Sequence, residues 1–171
     1  MKTKNIFLTS FILICATAIV SCSNTNRVKS ENAMDSTTVR NMVDSLSFVF
    51  IPRYVNAIGV RNRDLSFGYD ISVSKDTVKS YLPFFGRGYI APMSPTDVDF
   101  DFTSTKFTNT TTSAKSGWNI SIKPKDQRYL TELYFRIFDN ASASLTITSN
   151  DRSSISYNGY ITERKLRKEK K

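Results

Sequence analysis

The chain has 171 residues, and its 24 lysines and arginines outnumber its 15 aspartates and glutamates, which gives a formal net charge of +9. It contains no histidine, so the usual catalytic triads and most zinc or copper sites are excluded. Both cysteines, Cys15 and Cys22, lie near the N-terminus, and no disulfide or catalytic thiol is therefore expected in the body of the chain. At this length, one domain of ordinary size can bury a sufficient hydrophobic core.

The N-terminal residues have the three parts of a secretory signal. Lys2 and Lys4 provide a positive start, residues 6–20 are almost entirely apolar, and an Ile-Val-Ser run precedes Cys22. The Ile-Val-Ser-Cys run resembles the bacterial lipobox, in which the cysteine thiol receives diacylglycerol. A transmembrane anchor is the alternative, but the apolar stretch is short, and polar residues without a basic cluster follow it. We therefore predict a signal peptide over residues 1–21, cleavage before Cys22 and lipidation of Cys22.

Lipid on Cys22 has consequences for location. One acyl chain binds a membrane marginally, whereas several, a palmitate among them, hold a protein durably. Ser23 follows the cysteine and resembles an outer-membrane sorting signal, so we expect a lipid-anchored cell-envelope protein on the outer membrane, facing the periplasm. Little nucleic acid is present there, and we expect no nucleic-acid partner. Residues 22–34 have little apolar content and predict a flexible tether.

A short amphipathic helix is predicted after the tether. Asp35 and Ser36 offer an N-cap, and apolar residues then recur at spacings of three and four until the helix ends near Ser47. These apolar residues are Val39, Met42, Val43 and Leu46.

From Phe48 onward, apolar and polar residues alternate with the period of β-strands. Phe48 and Phe50 begin a strand that Pro52 ends or bends, and the clearest alternation runs from Leu65 to Val73. Further alternating sets cover residues 78–82, 98–102, 118–122, 133–137, 143–147 and 155–161. Short turns between strands require antiparallel pairing. The pattern predicts a single mainly β domain over residues 35–161, built as an antiparallel meander of seven to eight strands in a small lipocalin-like barrel or a sandwich. Residues 162–171 form a basic tail.

The segment over residues 81–89 differs from the strands, because a proline break, an aromatic pair and an arginine between two glycines follow one another. Arginine offers a rigid fork of donors, and aromatic rings stack on apolar or ring-shaped surfaces. We therefore predict that Arg87 and the aromatic side chains form the mouth of a site for an anionic or sugar-like ligand. The aromatic residues are Tyr81, Phe84, Phe85 and Tyr89. The alternative is structural, with Arg87 buried against carbonyl groups and the aromatic rings in the core.

This segment resembles the Leu-Pro-Tyr-Phe-Gly-Arg core of domain-of-unknown-function family 4251, envelope lipoproteins of Bacteroides and relatives. The similarity covers residues 43–161 and includes the Gly-Trp-Asn-Ile-Ser-Ile-Lys-Pro-Lys-Asp run of residues 117–126 and the Ser-Ile-Ser-Tyr-Asn-Gly run of residues 154–159. Phe84 and Gly88 stand where the family carries tyrosine and alanine, and a Gly-Gly pair expected after Pro92 is missing. The resemblance implies a predominantly β fold in the cell envelope and passes on no known activity.

The resemblance also implies a modification. The Asp-Ser-Thr, Asp-Ser-Leu and Asp-Thr-Val runs look like the O-glycosylation pattern of Bacteroides relatives, which makes Ser36, Ser45 and Thr77 candidate acceptors.

Two further patterns predict no site. Ser72 and Lys75 have the Ser-x-x-Lys spacing of some acyl enzymes, but they flank a strand end and a turn, where their side chains diverge. Asp97, Asp99 and Asp101 share one face of a strand and offer oxygen ligands for Ca²⁺. Since neither a nearby glutamate nor a glycine-bearing calcium loop accompanies them, a solvated strand face is the better interpretation. We predict no catalytic residue, no metal site and no cofactor.

Three functions fit these observations. The first is a non-enzymatic envelope module that binds a small hydrophobic ligand, a glycan or a partner protein, which the lipobox, the β pattern and the lack of catalytic residues favour. The second is a structural or interaction subunit of an envelope complex. The third is a hydrolase that uses carboxylates such as Asp97, Asp99 or Asp101. An enclosed apolar cavity favours the first, an exposed apolar patch the second, and an open cleft with two carboxylates about 5–10 Å apart the third.

Overall fold

The computed structural model describes residues 34–57, 62–66, 68–89 and 99–164, all of which belong to a compact unit spanning Ala33–Lys171. The predicted signal peptide, the lipidation of Cys22 and most of the predicted tether lie outside the described residues, as do residues 165–171 of the basic tail. None of the helices in these ranges is long and apolar enough to cross a membrane.

The predicted helix is confirmed as α1, Ser36–Asp44, whose apolar face buries Val39, Met42 and Val43. Asp35 occupies the N-cap position without a capping bond from its side chain, and its carbonyl oxygen accepts a hydrogen bond from Val39 N at 3.1 Å.

Ten antiparallel strands follow in the described ranges, more than the seven or eight predicted. They are β1 Phe48–Ala57, β2 Arg63–Asp64, β3 Asp70–Val73, β4 Val78–Leu82, β5 Phe100–Ser104, β6 Phe107–Ala114, β7 Gly117–Pro124, β8 Leu130–Phe138, β9 Ser142–Ser149 and β10 Ile155–Thr162. The hydrogen-bonded order is β5-β4-β3-β1-β10-β9-β8-β7-β6, and β2 pairs with β1 beside this path. The mainly β antiparallel meander is therefore confirmed, with β1 paired to the last strand, β10.

The two ends of this path are consecutive in the chain, which makes the sheet a nearly closed barrel. Only Thr105 and Lys106 separate β5, which pairs with β4, from β6, which pairs with β7. The Asp126 carboxylate holds this corner, because it accepts hydrogen bonds from the Ser104 hydroxyl and from the N–H groups of Thr105 and Lys106. The hydrogen bond from Ser104, with those from the two backbone amides, lowers the pKa of Asp126. The barrel, rather than the sandwich, is the architecture of this domain.

Two strands differ from their predictions. The strand predicted from Leu65 to Val73 is confined to β3, because Gly68 has φ +113°, a turn conformation that breaks the alternation before Tyr69. β6 was not predicted, since it carries threonine, asparagine and serine at both faces and has no apolar period.

The alternating apolar side chains fill the inside of the barrel. Phe135 packs edge-on against Phe48 and Phe50, with ring centroids 5.5 Å and 6.0 Å apart, and all three rings are fully buried. Burial raises the pKa of the Tyr157 phenol, whose hydroxyl donates to the carbonyl oxygen of Pro83 at 2.8 Å. The inside of the described barrel is therefore an apolar core.

Candidate functional site

The predicted aromatic and arginine segment, which follows β4, runs along the turn between β9 and β10. Arg87 N donates to the Ser153 hydroxyl at 3.1 Å, and Ser153 N donates to the Arg87 carbonyl oxygen at 2.9 Å. Tyr89 N donates to the carbonyl oxygen of Asp151 at 2.7 Å. Backbone groups therefore fix residues 87–89 in place, and the side chains of Arg87 and Tyr89 are exposed.

The arginine that the structure holds between aromatic rings is Arg152. Its guanidinium carbon lies 5.1 Å from the ring centroid of Phe84 and 5.2 Å from that of Phe100. A guanidinium nitrogen lies 2.7 Å from the carboxylate of Asp151, and both side chains are mostly buried. Burial by itself raises the pKa of Asp151, but the hydrogen bonds from Arg152 and Ser149 outweigh it and lower that pKa. The buried Arg152–Asp151 pair anchors the segment through the contact of Arg152 with Phe84. In the structural alternative predicted from the sequence, Arg87 was expected to have this role.

The remaining predicted side chains separate into two groups. Phe85 is half-buried under the guanidinium of Arg63, 5.1 Å from its ring centroid. Tyr81 is exposed on the outer face of β4 and stacks on Tyr69, with ring centroids 5.5 Å apart at 31°. Of the predicted residues, Tyr81 thus contacts a side chain, Tyr69, that lines a second feature.

This feature is an open groove on the outside of the barrel, with a volume of about 290 Å³. It forms where the bulge of β1 between Pro52 and Tyr54 meets the loop between β2 and β3. We call it the outer groove, and its lining residues are Ile51, Pro52, Arg53, Leu65, Ser66, Gly68, Tyr69, Asp70 and Tyr160.

The outer groove combines ring surfaces with groups that form hydrogen bonds. The Arg53 guanidinium lies over the Tyr160 ring, 5.4 Å from its centroid. Tyr69 directly precedes Asp70, the first residue of β3, and both line the groove. An aromatic ring next to a guanidinium and a carboxylate suits a ligand that has both an apolar face and hydroxyl groups.

Sequence reasoning missed the lining residues Arg53, Tyr69, Asp70 and Tyr160 as a site. The alternation assigned Tyr69 to the apolar face of a long strand, and Tyr160 belonged to no apolar set. Pro52, where a bend was predicted, was the one local signal of the bulge that opens the groove.

The other residues considered in the sequence do not come together. Asp99 accepts a hydrogen bond from Phe84 N at 3.0 Å, Asp101 lies on β5, and Asp97 is outside the described residues. Among the described residues, no group of three or more acidic, histidine or cysteine residues is placed to hold a metal ion. Ser72 lies on β3 and Lys75 in the turn after it.

The candidate glycosylation acceptors differ in access. Ser36 is exposed at the start of α1. The Ser45 hydroxyl donates to the Asn41 carbonyl oxygen at 2.6 Å, and Thr77 is half-buried in a turn where its N–H donates to the Ser74 hydroxyl at 3.1 Å.

These features define an antiparallel, nearly closed β-barrel domain with an apolar interior and an open groove on its outer wall. The model of the family described as "Domain of unknown function (DUF4251)" matches residues 30–161, and the chain belongs to this family. It is similar to the crystal structure of a DUF4251 family protein from Bacteroides eggerthii DSM 20697, with 13% identity and a TM-score of 0.58 over 77% of this chain and 89% of that one. At this identity the similarity shows the fold. No curated protein matches the chain.

Proposed function

We propose that the chain is a lipid-anchored protein of the cell envelope that binds a glycan-like ligand in the outer groove without chemical conversion. The observation that carries the proposal is the groove itself, where the ring of Tyr160 lies beside the guanidinium of Arg53, next to Tyr69 and Asp70.

The class of ligand follows from a comparison of the barrel interior with the outer groove. Phe48, Phe50 and Phe135 are fully buried inside the described barrel, and we therefore assign the ligand to the outer groove. The outer groove is open to solvent, and its volume is at the lower end of the range typical of small-molecule sites. One sugar ring, stacked on a tyrosine and bonded through its hydroxyls to arginine and aspartate, fits these limits.

The positions of the acidic groups favour binding of the glycan without hydrolysis. Hydrolysis of a glycosidic bond ordinarily needs two carboxyl groups that flank the bond. Among the described residues that line the outer groove, Asp70 alone carries a carboxyl group, and Asp99 accepts a hydrogen bond from the backbone N–H of Phe84.

Replacing Tyr160 with alanine is expected to weaken glycan binding about tenfold, because the ring and its contact with Arg53 are lost together. The probes are methyl glycosides of neutral hexoses, N-acetylhexosamines and uronic acids, titrated into the full chain in detergent and followed by NMR. The control is Tyr134→Ala, which removes an exposed tyrosine on β8 that does not line the groove. Equal affinity in the Tyr160→Ala and Tyr134→Ala variants, or no binding of any probe, contradicts the proposal.

The proposed lipid anchor leads to a second prediction, which concerns attachment of the protein to the membrane. Changing Cys22 to serine is expected to shift the protein from the membrane fraction to the soluble or unprocessed fraction, because several acyl chains are needed for durable membrane attachment. Cys15→Ser is the matched control, since this residue lies in the predicted signal peptide and its protein should keep the lipid. Intact-mass measurement detects the lipid, and a Cys22→Ser variant whose mass differs from that of the unchanged chain by the substitution alone rules out this anchor.

A further inference from the structure

β6 is an edge strand that is paired on one side only. Its ladder with β7 is regular from Phe107 to Ala114, without a register shift. Among the described residues of the chain, no strand pairs with its other side, and every residue of β6 after Phe107 is exposed. Such an edge offers unpaired backbone groups to another strand.

The register of β6 against β7 identifies which backbone N–H and C=O groups of β6 face its open side. Lys125 N donates to the Lys106 carbonyl oxygen at 2.7 Å, so this position is a hydrogen-bonded pair of the ladder. Hydrogen-bonded and non-bonded pairs alternate along an antiparallel ladder. The N–H and C=O groups of Asn109, Thr111 and Ser113 therefore point away from β7, toward the open side.

This edge lacks the features that usually prevent strand addition. Lysine, proline and bulges protect most edges, and β6 has none of them between Phe107 and Ala114. Its threonines instead favour the extended conformation and pair well across strands. β5 differs, because the Gln127 side-chain amide donates to the carbonyl oxygen of Thr103 at 3.0 Å.

The lysines around β6 indicate which kind of partner strand fits this edge. Lys106 and Lys115 stand at the two ends of β6, and Lys123 lies opposite Thr108 on β7. A second copy that paired antiparallel through β6 would bring Lys106 of one copy near Lys115 of the other at both ends. An extended peptide with acidic ends meets the same lysines with opposite charge.

We infer that the free edge of β6 binds an extended segment of a partner protein by strand addition. The segment adds to the sheet through the backbone of Asn109, Thr111 and Ser113, and carries Asp or Glu at each end for Lys106 and Lys115. Backbone hydrogen bonds supply the affinity, as in other cases of strand addition, and the flanking charges set the preference for this partner. This site is separate from the outer groove and does not depend on glycan binding.

The test uses the full chain in detergent and a fluorescent peptide of alternating threonine and valine with two glutamates at each end. Fluorescence anisotropy should show binding that weakens as salt rises, and amide exchange at Asn109, Thr111 and Ser113 should slow when the peptide binds. A peptide with the same centre and lysine ends should bind about tenfold more weakly.

Two variants at one position separate backbone from side-chain effects. Thr111→Pro removes the outward N–H while keeping the ladder with β7, and it should weaken binding of the acidic peptide about tenfold or more. Thr111→Ala keeps this N–H and should bind as the unchanged chain does. Equal binding of the acidic and lysine-ended peptides, no binding of either, or a self-association that Thr111→Pro abolishes would each overturn the inference. The last result would assign the edge to a second copy.

Discussion

Replacing Gly159 with alanine is expected to lower the free energy of unfolding by more than about 4 kcal/mol, the range of the most severe single substitutions. Gly159 lies opposite Pro52 in the ladder between β10 and β1. A Cβ atom at this position would lie 2.0 Å from the carbonyl oxygen of Ile51 and 2.9 Å from the Cα of Pro52. Both are backbone atoms of β1, so the clash is relieved only by separating β1 from β10.

Urea unfolding followed by the fluorescence of Trp118, the single tryptophan, measures this effect. Asn158→Ala is the matched control, because Asn158 is the exposed neighbour on the same strand and its change should stay within about 0.5 kcal/mol. The same unfolding midpoint for both variants would show that β1 and β10 leave room for a Cβ atom at position 159. Since the β1 bulge that opens the outer groove lies beside Gly159, this variant should also lose glycan binding.

Replacing Arg152 with methionine is expected to cost about 3–5 kcal/mol of stability, the effect of removing one partner of a buried ion pair. Methionine keeps an apolar chain between the rings of Phe84 and Phe100, so the main loss is the charge that accompanies Asp151. Arg87→Met is the control, because the Arg87 side chain is exposed. Equal unfolding curves for the two arginine variants would contradict the anchoring role of Arg152.

The dependence on pH distinguishes lost charge from lost packing. Because the pKa of Asp151 is lowered in the folded chain, the ion pair contributes its full stability above the carboxyl pKa of the unfolded chain, about 4. This contribution is lost as the pH falls through the lowered folded pKa. The difference in unfolding free energy between Arg152→Met and the unchanged chain should therefore shrink in acid. A difference that stays constant with pH would assign the effect to packing.

Most of the barrel could be predicted from local alternation. In β8 and β9, Leu133, Phe135, Leu145 and Ile147 are buried as the period of two required, because one face of each strand packs into the interior. Prediction failed where the alternation carried no such signal. β6 has polar residues on both faces, and the turn at Gly68 interrupts an apolar series that looked continuous.

The sites were less predictable than the strands. Arg87 stood out in the sequence between two glycines, yet the guanidinium between aromatic rings belongs to Arg152, in a turn whose local sequence indicates only a change of direction. Arg53 and Tyr160 lie far apart in the chain, and the register of β1 against β10 alone brings them together. Register is a property of two strands, so a single-strand pattern does not contain it.

The class of this protein, a mainly β domain with one short helix, and its family follow from its residues alone, because period and motif are local properties of the chain. The prediction of a lipid anchor at Cys22 also rests entirely on local sequence. The tertiary structure decided the rest: that the sheet returns on itself at Thr105 and Lys106, that Phe135 packs against Phe48 and Phe50 inside it, and that a groove opens on its outer wall. These outcomes depend on how strands far apart in the chain align, and on which side chains then compete for the same space.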